Sequence, residues 1–380
     1  MNRIGTSTRV LSTALTLLPV VLAQPTGQTR WTVNCNVPGR TLSRVVDNAR
    51  PGDIIAVQGT CRERVVITQG PLILDGGRNA VLDGTAVPVG GKEFNGLVTV
   101  DGAHGIVIRG WKIRNSPGEG ILGIRGASMS IQDTVVEGIG LSDSAAEVSD
   151  STIRGNGAGI DAFSNSTLIF RNQIDVLSNG GEGLTLNGNS LAEIRGGHIQ
   201  VNSNAGPGIT ISAYSTLAIF GFQTSQGSRL TSSGNQGPGI IIAQGHLFVA
   251  GSTLPPGNMV LTSSGNVGPG LWLPANGAIT SPFGAARFVI ENNAVGMDFG
   301  QGSTALIVGG LQVSNNATGV NGDNAAGLTF VSIPPNPSAI QSNGTDVRLG
   351  FGTRSTIQGV AVGSMVCDAT VLSRGTKVCP

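Results

Sequence analysis

The segment GNQGPGIII (234–242) returns along the chain in four variants: GNGAGIDAF (155–163), SNGGEGLTL (178–186), SNAGPGITI (203–211) and GNVGPGLWL (265–273). In each, a glycine that we call the marker glycine precedes a short run in which inward and outward residues alternate. Alternation with a period of two indicates a β-strand rather than a helix. A unit with such short strands cannot bury an apolar face alone, so the repetition predicts a β-solenoid in which each unit stacks on its neighbour.

The pattern continues on both sides of these segments with a loose period of about 25 residues. An asparagine stands three or four positions before most marker glycines. We expect it at a tight corner, where Asn tolerates the left-handed backbone. Stacked asparagine side chains can also hydrogen-bond along the axis, but corner geometry alone explains the recurrence. The strands predict about 12 rungs over roughly 55–60 Å. The marker glycines are Gly120, Gly140, Gly159, Gly183, Gly208, Gly239, Gly270, Gly296, Gly319 and Gly344.

The composition fits this architecture and excludes several function classes. Among 380 residues, 59 are glycine and only 4% are aromatic, which is unusual for a conventional globular core. Lys and Arg total 23 against 22 Asp and Glu, which gives a net charge of +1. The chain lacks the basic excess that binding to nucleic acid or to an anionic membrane requires, so neither partner is expected.

The first residues have the order of a secretory signal peptide. Arg3 and Arg9 precede an apolar run over residues 10–22, and a small residue ends the run Val-Leu-Ala at 21–23. We predict a signal peptide over 1–23, cleaved after Ala23, and a secreted or periplasmic protein. No later stretch approaches the roughly 20 apolar residues of a membrane helix, so no transmembrane segment is expected.

Four cysteines lie near the two ends of the chain, and export permits them to oxidise. Pairing by proximity closes the shortest loops and predicts the disulfides Cys35–Cys61 and Cys367–Cys379. Four reduced thiols are the alternative. Because the repeat thins near the second pair, we divide the mature chain into a coil over 24–345 and a closing segment over 346–380.

The N-terminal part of the coil carries a more specific likeness. Apolar residues at helical spacing predict a short helix over 41–49. The runs ARPGDIIAVQGTCRERVVI (49–67), GPLILDG (70–76) and GAHGIVIRGWKIRNSPGEGI (102–121) follow. On these runs the chain resembles the right-handed parallel β-helix proteins of the pectin lyase-like superfamily. The resemblance implies an all-β fold, a right-handed parallel β-helix with a short N-terminal capping helix. It implies no single activity, since enzymes and non-catalytic surface proteins share this scaffold.

Carboxylates concentrate in one part of the coil, where nine of the 22 acidic residues fall between residues 119 and 182. In the expected register, Asp143, Asp161 and Glu182 lie on three consecutive rungs, about 4.8 Å apart per rung. Such a cluster could bind Ca²⁺, the one cofactor that the sequence suggests, or raise the pKa of one member into the range of a general acid. A solvated acidic face is the alternative. The outward column expected behind the marker glycines is Leu122, Ser142, Asp161, Thr185, Thr210, Ile241, Trp272, Asp298 and Asn321.

Catalytic motifs of the enzymes that this chain resembles are mostly missing. Where pectate lyases carry paired acidic residues, the chain has Gly-Glu-Gly at 118–120, with one carboxylate. Of the polygalacturonase runs Asn-Thr-Asp, Asp-Asp and Gly-His-Gly, it has only Gly-Ile-Asp at 159–161. The Asp-Pro-His-Glu motif of mannuronan epimerases is absent. These departures favour a non-catalytic function.

Outward apolar residues predict a binding surface. Trp272 lies between two inward leucines, and Ile241 is expected on the neighbouring rung. A second face also has apolar residues at outward positions, so two faces expose more apolar surface than solubility explains. This surface could stack sugars through Trp272, pack laterally against another protomer, or lie beneath the long corner loops at 224–236 and 250–267. The expected outward residues of the second face include Ile169, Ala218, Phe248 and Ile307.

Three functions remain open from the sequence. The first is an exported, non-catalytic β-helix that binds a polysaccharide or a cell-surface partner along an elongated face. The second is a polysaccharide lyase or glycoside hydrolase that acts on an acidic polysaccharide through Asp143, Asp161 and Glu182. The third is a structural surface protein that associates with itself.

Overall fold

The computed structural model describes residues 28–88, 96–221, 227–250, 259–334 and 336–379, except for the side chain of residue 285. The predicted signal peptide over 1–23 lies outside these ranges. The described chain winds into a coil of parallel strands, most of which pair with the strands one turn before and one turn after. The all-β parallel β-helix expected from the repeat is confirmed.

Each turn of the coil presents three faces. A separate sheet of 13 strands forms face I. It contains β4 (Val65–Ile67), β6 (Val98–Asp101), β8 (Ile121–Ile124), β11 (Ile139–Ser142), β13 (Ile160–Phe163), β15 (Leu184–Leu186), β17 (Ile209–Ser212), β20 (Ile240–Ala243), β23 (Leu271–Ala275), β25 (Val295–Gln301), β27 (Thr318–Gly322), β30 (Thr345–Leu349) and β33 (Met365–Cys367).

A sheet of 21 strands forms faces II and III together. Face II contains β1 (Arg30–Asn34), β2 (Ile54–Gln58), β9 (Ser128–Gln132), β18 (Thr216–Phe220), β21 (His246–Ala250), β28 (Gly327–Val331), β31 (Arg354–Gln358) and β34 (Leu372–Gly375). Face III contains β3 (Thr60–Cys61), β10 (Val135–Val136), β19 (Ser228–Ser233), β22 (Met259–Ser264), β29 (Ser338–Ile340) and β32 (Val360–Val362).

Long strands join these two faces because they bend from one into the next. In β12 the bend lies at Asp150, a residue with a positive φ of 49°, and the pairing register shifts there. The bending strands are β5 (Leu72–Asp83), β7 (Ile106–Arg114), β12 (Ala145–Arg154), β14 (Thr167–Leu177), β16 (Leu191–Asn202), β24 (Ala278–Glu291) and β26 (Thr304–Ser314).

The interior of the coil is a continuous stack of apolar side chains, because inward and outward positions alternate along each strand. On face I, Ile209 and Ile211 are fully buried, and Thr210 between them points outward. Phe170 and Phe288 are among the largest fully buried side chains. Stacking therefore supplies the core that a single repeat unit lacks.

A short helix, α1 (Leu42–Asn48), lies near the N-terminal end of the coil, and a 3₁₀ turn spans Gly84–Ala86. Leu42 and Val46 of the helix are buried. The Glu63 carboxylate accepts hydrogen bonds from the backbone N–H groups of Leu42 at 2.7 Å and Ser43 at 3.0 Å. No helix in the described ranges is long and apolar enough to cross a membrane.

A ladder of buried asparagines runs along the corner before face I. Each side-chain amide donates to the Oδ1 of the asparagine one rung further on, at 2.9–3.3 Å, and the last donates to Asp346 at 3.0 Å. The asparagines therefore do more than form corners, because they hydrogen-bond to one another along the axis. The members of this asparagine ladder are Asn179, Asn204, Asn235, Asn266, Asn293, Asn316 and Asn343.

The left-handed backbone expected at these asparagines lies one residue earlier, which corrects the prediction. The preceding residue has a φ between 53° and 64° in every rung of the ladder, whereas no ladder asparagine has a positive φ. The reason is that the asparagine must turn its amide inward to reach the next rung. The residues with positive φ are Ser178, Ser203, Gly234, Gly265, Asn292, Asn315 and Ser342.

The asparagine ladder explains the marker glycines. A Cβ atom on Gly208 would lie 2.6 Å from Nδ2 of Asn235, and a Cβ on Gly239 would lie 2.7 Å from Nδ2 of Asn266. No side chain tolerates contacts this short. The Asn-to-Gly spacing of the repeat is therefore a packing unit, in which the asparagine of one rung occupies the space beside the glycine of the rung before.

Both predicted disulfides, Cys35–Cys61 and Cys367–Cys379, are present. Parallel pairing continues past residue 345, because β33 pairs with β30 and β34 pairs with β31. The segment over 346–380 thus contains strands of the coil as well as the second disulfide.

Candidate functional site: an acidic cleft on face I

One column of outward residues runs along face I, each beside the next on adjacent strands. The expected register holds at every rung but one: Gly140, rather than Ser142, lies between Leu122 and Asp161. Gly138 and Gly140 both precede a buried aliphatic residue, so the sequence allowed a shift of two residues. The observed column is Leu122, Gly140, Asp161, Thr185, Thr210, Ile241, Trp272, Asp298 and Asn321.

Asp161 and Glu182 lie near each other, as predicted. Asp161 is the second residue of β13, and Glu182 lies in the turn before β15. The Glu182 carboxylate accepts hydrogen bonds from the hydroxyls of Thr185 at 2.5 Å and Thr210 at 3.1 Å. Burial raises the pKa of Asp161, a hydrogen bond from Thr185 opposes that rise, and the negative charge of Glu182 adds to it.

The third carboxylate of the cluster is Glu119, which the sequence analysis did not select. Its side chain lies over Gly140, where a Cβ atom would come within 2.9 Å of its Cγ. Its Oε2 accepts a hydrogen bond from Nδ2 of Asn156 at 3.0 Å. Burial and the negative charge of Asp161 raise the pKa of Glu119 to about 7, although the hydrogen bond from Asn156 lowers it. Gly140 lies in the outward column one rung before Asp161 and leaves room for a neighbouring side chain. This glycine was the sequence signal that could have indicated Glu119.

Asp143 does not join the cluster, which corrects the predicted set. β11 ends at Ser142, so Asp143 falls at the corner beyond the strand, where its φ is 49° and its side chain is exposed. Its backbone N–H donates to the carbonyl of Phe163 at 3.3 Å. The two-residue shift of this rung therefore moves the carboxylate away from the outward column.

The cluster opens into a cleft with a volume of ≈ 630 Å³. Asp161, Glu182 and Thr185 line one part of it, and Phe163 and Asn187 line another. The ring of Phe163 is 41% exposed. We call this the acidic cleft. An exposed aromatic ring beside carboxylate, hydroxyl and amide groups offers both an apolar surface and hydrogen-bonding partners to a ligand.

No arginine or lysine forms an ion pair with Glu119, Asp161 or Glu182 within the described part of the chain. Burial raises the pKa values of Glu119 and Asp161, and repulsion from a neighbouring carboxylate, which no cation offsets, raises them further. Near neutral pH such a pair can hold or release a proton, and its ionised form can bind a cation.

The predicted trio for Ca²⁺ is not brought together as one set of ligands. Across the described residues, the groups of three or more His, Cys, Asp or Glu whose ligand atoms all lie within 4.8 Å of one another comprise Cys35, Cys61 and Glu63 alone. The two cysteines form a disulfide, and Glu63 binds the backbone of α1. In the acidic cleft, the carboxylates of Asp161 and Glu182 remain as oxygen donors for an ion.

Trp272 and Ile241 lie side by side in the outward column, and both are half-buried. Trp272 is four rungs from Asp161, which corresponds to roughly 19 Å along the axis. Thr185 and Thr210 occupy the two rungs that follow Asp161 toward Trp272. The acidic cleft and the apolar pair therefore belong to one continuous strip.

The prediction of a second apolar face is correct in part. Phe248 and Ala218 are neighbours in one outward column of face II, and Ile169 lies further along it. Ala218 is nevertheless only 3% exposed, so it adds no apolar surface. The outward orientation predicted for Ile307 is wrong, because this residue is 1% exposed and points inward. Leu306 points outward instead and is 36% exposed. Alternation in β26 starts from the outward Thr304, which reverses the expected orientation.

Comparison with known proteins supports the fold. The family model described as the right-handed β-helix region matches residues 95–254. The chain has the fold of a right-handed parallel β-helix. The fold implied by the resemblance to the pectin lyase-like superfamily is thereby confirmed. No curated protein matches the chain significantly.

Several solved structures are similar to this β-helix. The A-module of the mannuronan C-5 epimerase AlgE4 of Azotobacter vinelandii is 12% identical, with a TM-score of 0.43 over 89% of this chain and 92% of that one. Pectate lyase Pel9A is 13% identical, with a TM-score of 0.29 over 90% and 79%. PfbA, a surface adhesin of Streptococcus pneumoniae, is 8% identical, with a TM-score of 0.30 over 85% and 86%.

Proposed function

We propose that this protein is exported and binds an uncharged polysaccharide along the outward strip of face I, from Phe163 in the acidic cleft to Trp272. The observation that carries this proposal is the acidic cleft itself, where carboxylates without a cationic partner in the described chain lie beside an exposed aromatic ring. Sugar hydroxyls donate hydrogen bonds to carboxylates, and the apolar faces of sugar rings pack on aromatic rings. A negatively charged sugar chain would be repelled there.

The strip also has the shape of a site for an elongated ligand. Outward threonines connect the cleft to the apolar pair, and the distance of roughly 19 Å exceeds the length of one sugar ring. A polymer contacts both ends at once, whereas a monosaccharide contacts one. Binding therefore should strengthen with chain length.

Isothermal titration calorimetry against neutral and acidic polysaccharides tests this proposal. We expect a neutral glucan, mannan or xylan to bind, and we expect Phe163→Ala and Trp272→Ala each to weaken binding by about tenfold. Phe283→Ala removes a more exposed ring elsewhere, at 64% exposure, and should leave the affinity unchanged. Equal losses in all three variants, or no neutral ligand in the panel, would contradict the proposal.

Cleavage of the bound glycan is the second candidate function, and the raised pKa of Glu119 favours it. A carboxyl with a pKa of about 7 holds its proton at mildly acidic pH and can donate it to a leaving glycosidic oxygen. Release of reducing or unsaturated ends is the measurement. Loss of at least about a hundredfold in Glu119→Gln and Asp161→Asn would support an enzyme, and undiminished binding without product would leave the binding function alone.

Four features of the sequence analysis stay predictions. Export rests on the segment over 1–23, and N-terminal sequencing of the mature protein tests cleavage after Ala23.

We also propose that α1 caps the coil. Glu63→Gln weakens the contact of this side chain with the helix backbone and should lower the free energy of unfolding. A Ca²⁺-dependent rise in the melting temperature tests ion binding at Asp161 and Glu182. Light scattering tests self-association through face II.

A further inference from the structure

A second cleft, on face II near the C-terminal end of the coil, has a different chemistry. Its volume is ≈ 660 Å³, and outward residues of five successive strands line it. They include Thr304, Leu306, Thr329, Arg354, Thr356 and Arg374. We call this the arginine cleft. No acidic residue lines it.

The floor of the arginine cleft is a gap in an outward column. Thr304, Gly327, Arg354 and Leu372 lie on successive strands of this column. Gly327 has no side chain, and a Cβ atom placed there would meet only Cγ2 of Thr304, at 3.6 Å. The gap therefore separates the hydroxyl of Thr304 from Arg354 by two rungs, roughly 10 Å.

Two arginines lie on the C-terminal side of this gap. Arg354 and Arg374 are exposed, and neither guanidinium group forms a hydrogen bond or an ion pair with another described residue. Arg374 lies on the next strand, two residues beyond the partner of Arg354, so their Cα atoms are about 8 Å apart. Many other arginines of the coil, such as Arg109 and Arg171, pair with a carboxylate across neighbouring rungs. The arginine cleft is therefore a concentration of positive charge in a nearly neutral protein.

We propose that the arginine cleft binds an anionic sugar chain, one that carries carboxylate or sulfate groups. Guanidinium groups bind both kinds of oxyanion through paired hydrogen bonds. The hydroxyls of Thr304, Thr329 and Thr356 can pair with sugar hydroxyls, and the exposed Leu306 and Leu372 offer apolar contact to the rings. The site differs from the acidic cleft in face, charge and ligand, so it does not depend on the function proposed for face I.

Titrations with polygalacturonate, dextran sulfate and neutral dextran test the proposal on the mature protein. We expect at least one of the two anionic chains to bind, and the stronger of the two identifies the anionic group. Any binding of neutral dextran should be unaffected by substitutions in the arginine cleft. Arg354→Ala combined with Arg374→Ala should weaken binding by at least about tenfold, because each substitution removes charged hydrogen bonds. The matched control combines Arg40→Ala with Arg44→Ala, which lowers the net charge equally at the other end of the coil.

Gly327→Leu provides a test that keeps both charges. Gly327 has an ordinary φ and open space above it, so the leucine should fill the cleft without disturbing the fold. We expect the same loss of anionic binding with an unchanged melting temperature. Equal weakening in the control pair, or full binding in Gly327→Leu, would overturn the proposal. Phe163→Ala should leave anionic binding intact, which separates failure of this proposal from failure of the one for face I.

Discussion

The asparagine ladder and the acidic cleft lie on the same rungs and treat polar groups in opposite ways. In the ladder, Nδ2 of the buried Asn235 donates to Asn266 at 3.0 Å, and its Oδ1 accepts the side-chain amide of Asn204 at 3.1 Å. At the acidic cleft, Asp161 lies half-buried near the half-buried Glu119, which is outside the cleft lining, and the pKa values of both are raised. One region satisfies its buried polar groups, whereas the other keeps mutually repelling groups near water.

The two regions meet at Asn156. Its backbone N–H donates to Oδ1 of Asn179 at 3.2 Å, as in the ladder, but its side-chain amide turns to Glu119. A repeat whose corner groups are all hydrogen-bonded can therefore hold two mutually repelling carboxyls on the adjoining face. Within one rung, the corner residues stabilise the fold, and the residues of the adjoining face form the candidate site.

The largest effect is expected where a marker glycine contacts the ladder. A Cβ on Gly239 would lie 2.1 Å from Oγ of Ser263 and 2.7 Å from the carbonyl oxygen of Gly270, so Gly239→Ala must displace the next rung. We expect a loss of about 3 kcal/mol in the free energy of unfolding. Gly157→Ala is the control, since a Cβ there meets nothing within 4 Å. Chemical denaturation measures both, and equal losses would refute the packing role of the marker glycine.

Removal of one ladder amide should cost slightly less. Asn235→Ala deletes the partner of Asn204 and Asn266 and leaves buried polar groups unpaired, so we expect a loss of about 2–3 kcal/mol. Asn187→Ala, at an exposed position beside the acidic cleft, should change stability by less than about 0.5 kcal/mol. If the unfolding curves of the two variants coincide, the ladder is a consequence of the coil and does not stabilise it.

Glu119→Gln should change the pH dependence of stability. The folded protein holds the Glu119 proton up to a pH of about 7, whereas the unfolded chain releases it near its ordinary pKa of 4.5. This group therefore stabilises the fold less and less as pH rises through that window. The variant has no such loss, and we expect it to gain about 1 kcal/mol on the wild type between pH 4 and pH 8, a value reduced for partial solvent exposure. Thermal melts across this range, with Glu137→Gln as control, measure the difference.

The fold was predictable because its signals are local and repeated. The alternation after each marker glycine and the spacing from Asn to Gly recur in five clear segments, so an error in one rung does not alter the whole. The recurring asparagines were recognised as corner residues, and axial hydrogen bonding was only one possibility for them. Their left-handed residue was placed one position too late. Only the contact between rungs requires the asparagine side chain to point inward.

The candidate site was less predictable because it depends on a single rung. Asp161 and Glu182 were selected correctly as neighbours, but Asp143 took the place of Glu119. This error arose because Gly138 and Gly140 could each mark the start of the strand. A shift of two residues leaves the period-two alternation unchanged, so the sequence could not distinguish them. Ile307 failed for a related reason, because a shift of one residue reverses a side chain.

The smallest effect on stability, and the sharpest test of the comparison, is expected from Gly140→Ala. The same substitution at Gly239 meets backbone, but at Gly140 it meets Cγ of Glu119 at 2.9 Å and Cδ1 of Leu122 at 3.0 Å, both on side chains that can move. We expect a loss below about 1 kcal/mol. Displacement of Glu119 toward water should lower its pKa from about 7 toward 4.5. Carboxyl carbon shifts in an NMR titration measure this pKa, and an unchanged value would mean that Gly140 does not hold Glu119 in the acidic cleft.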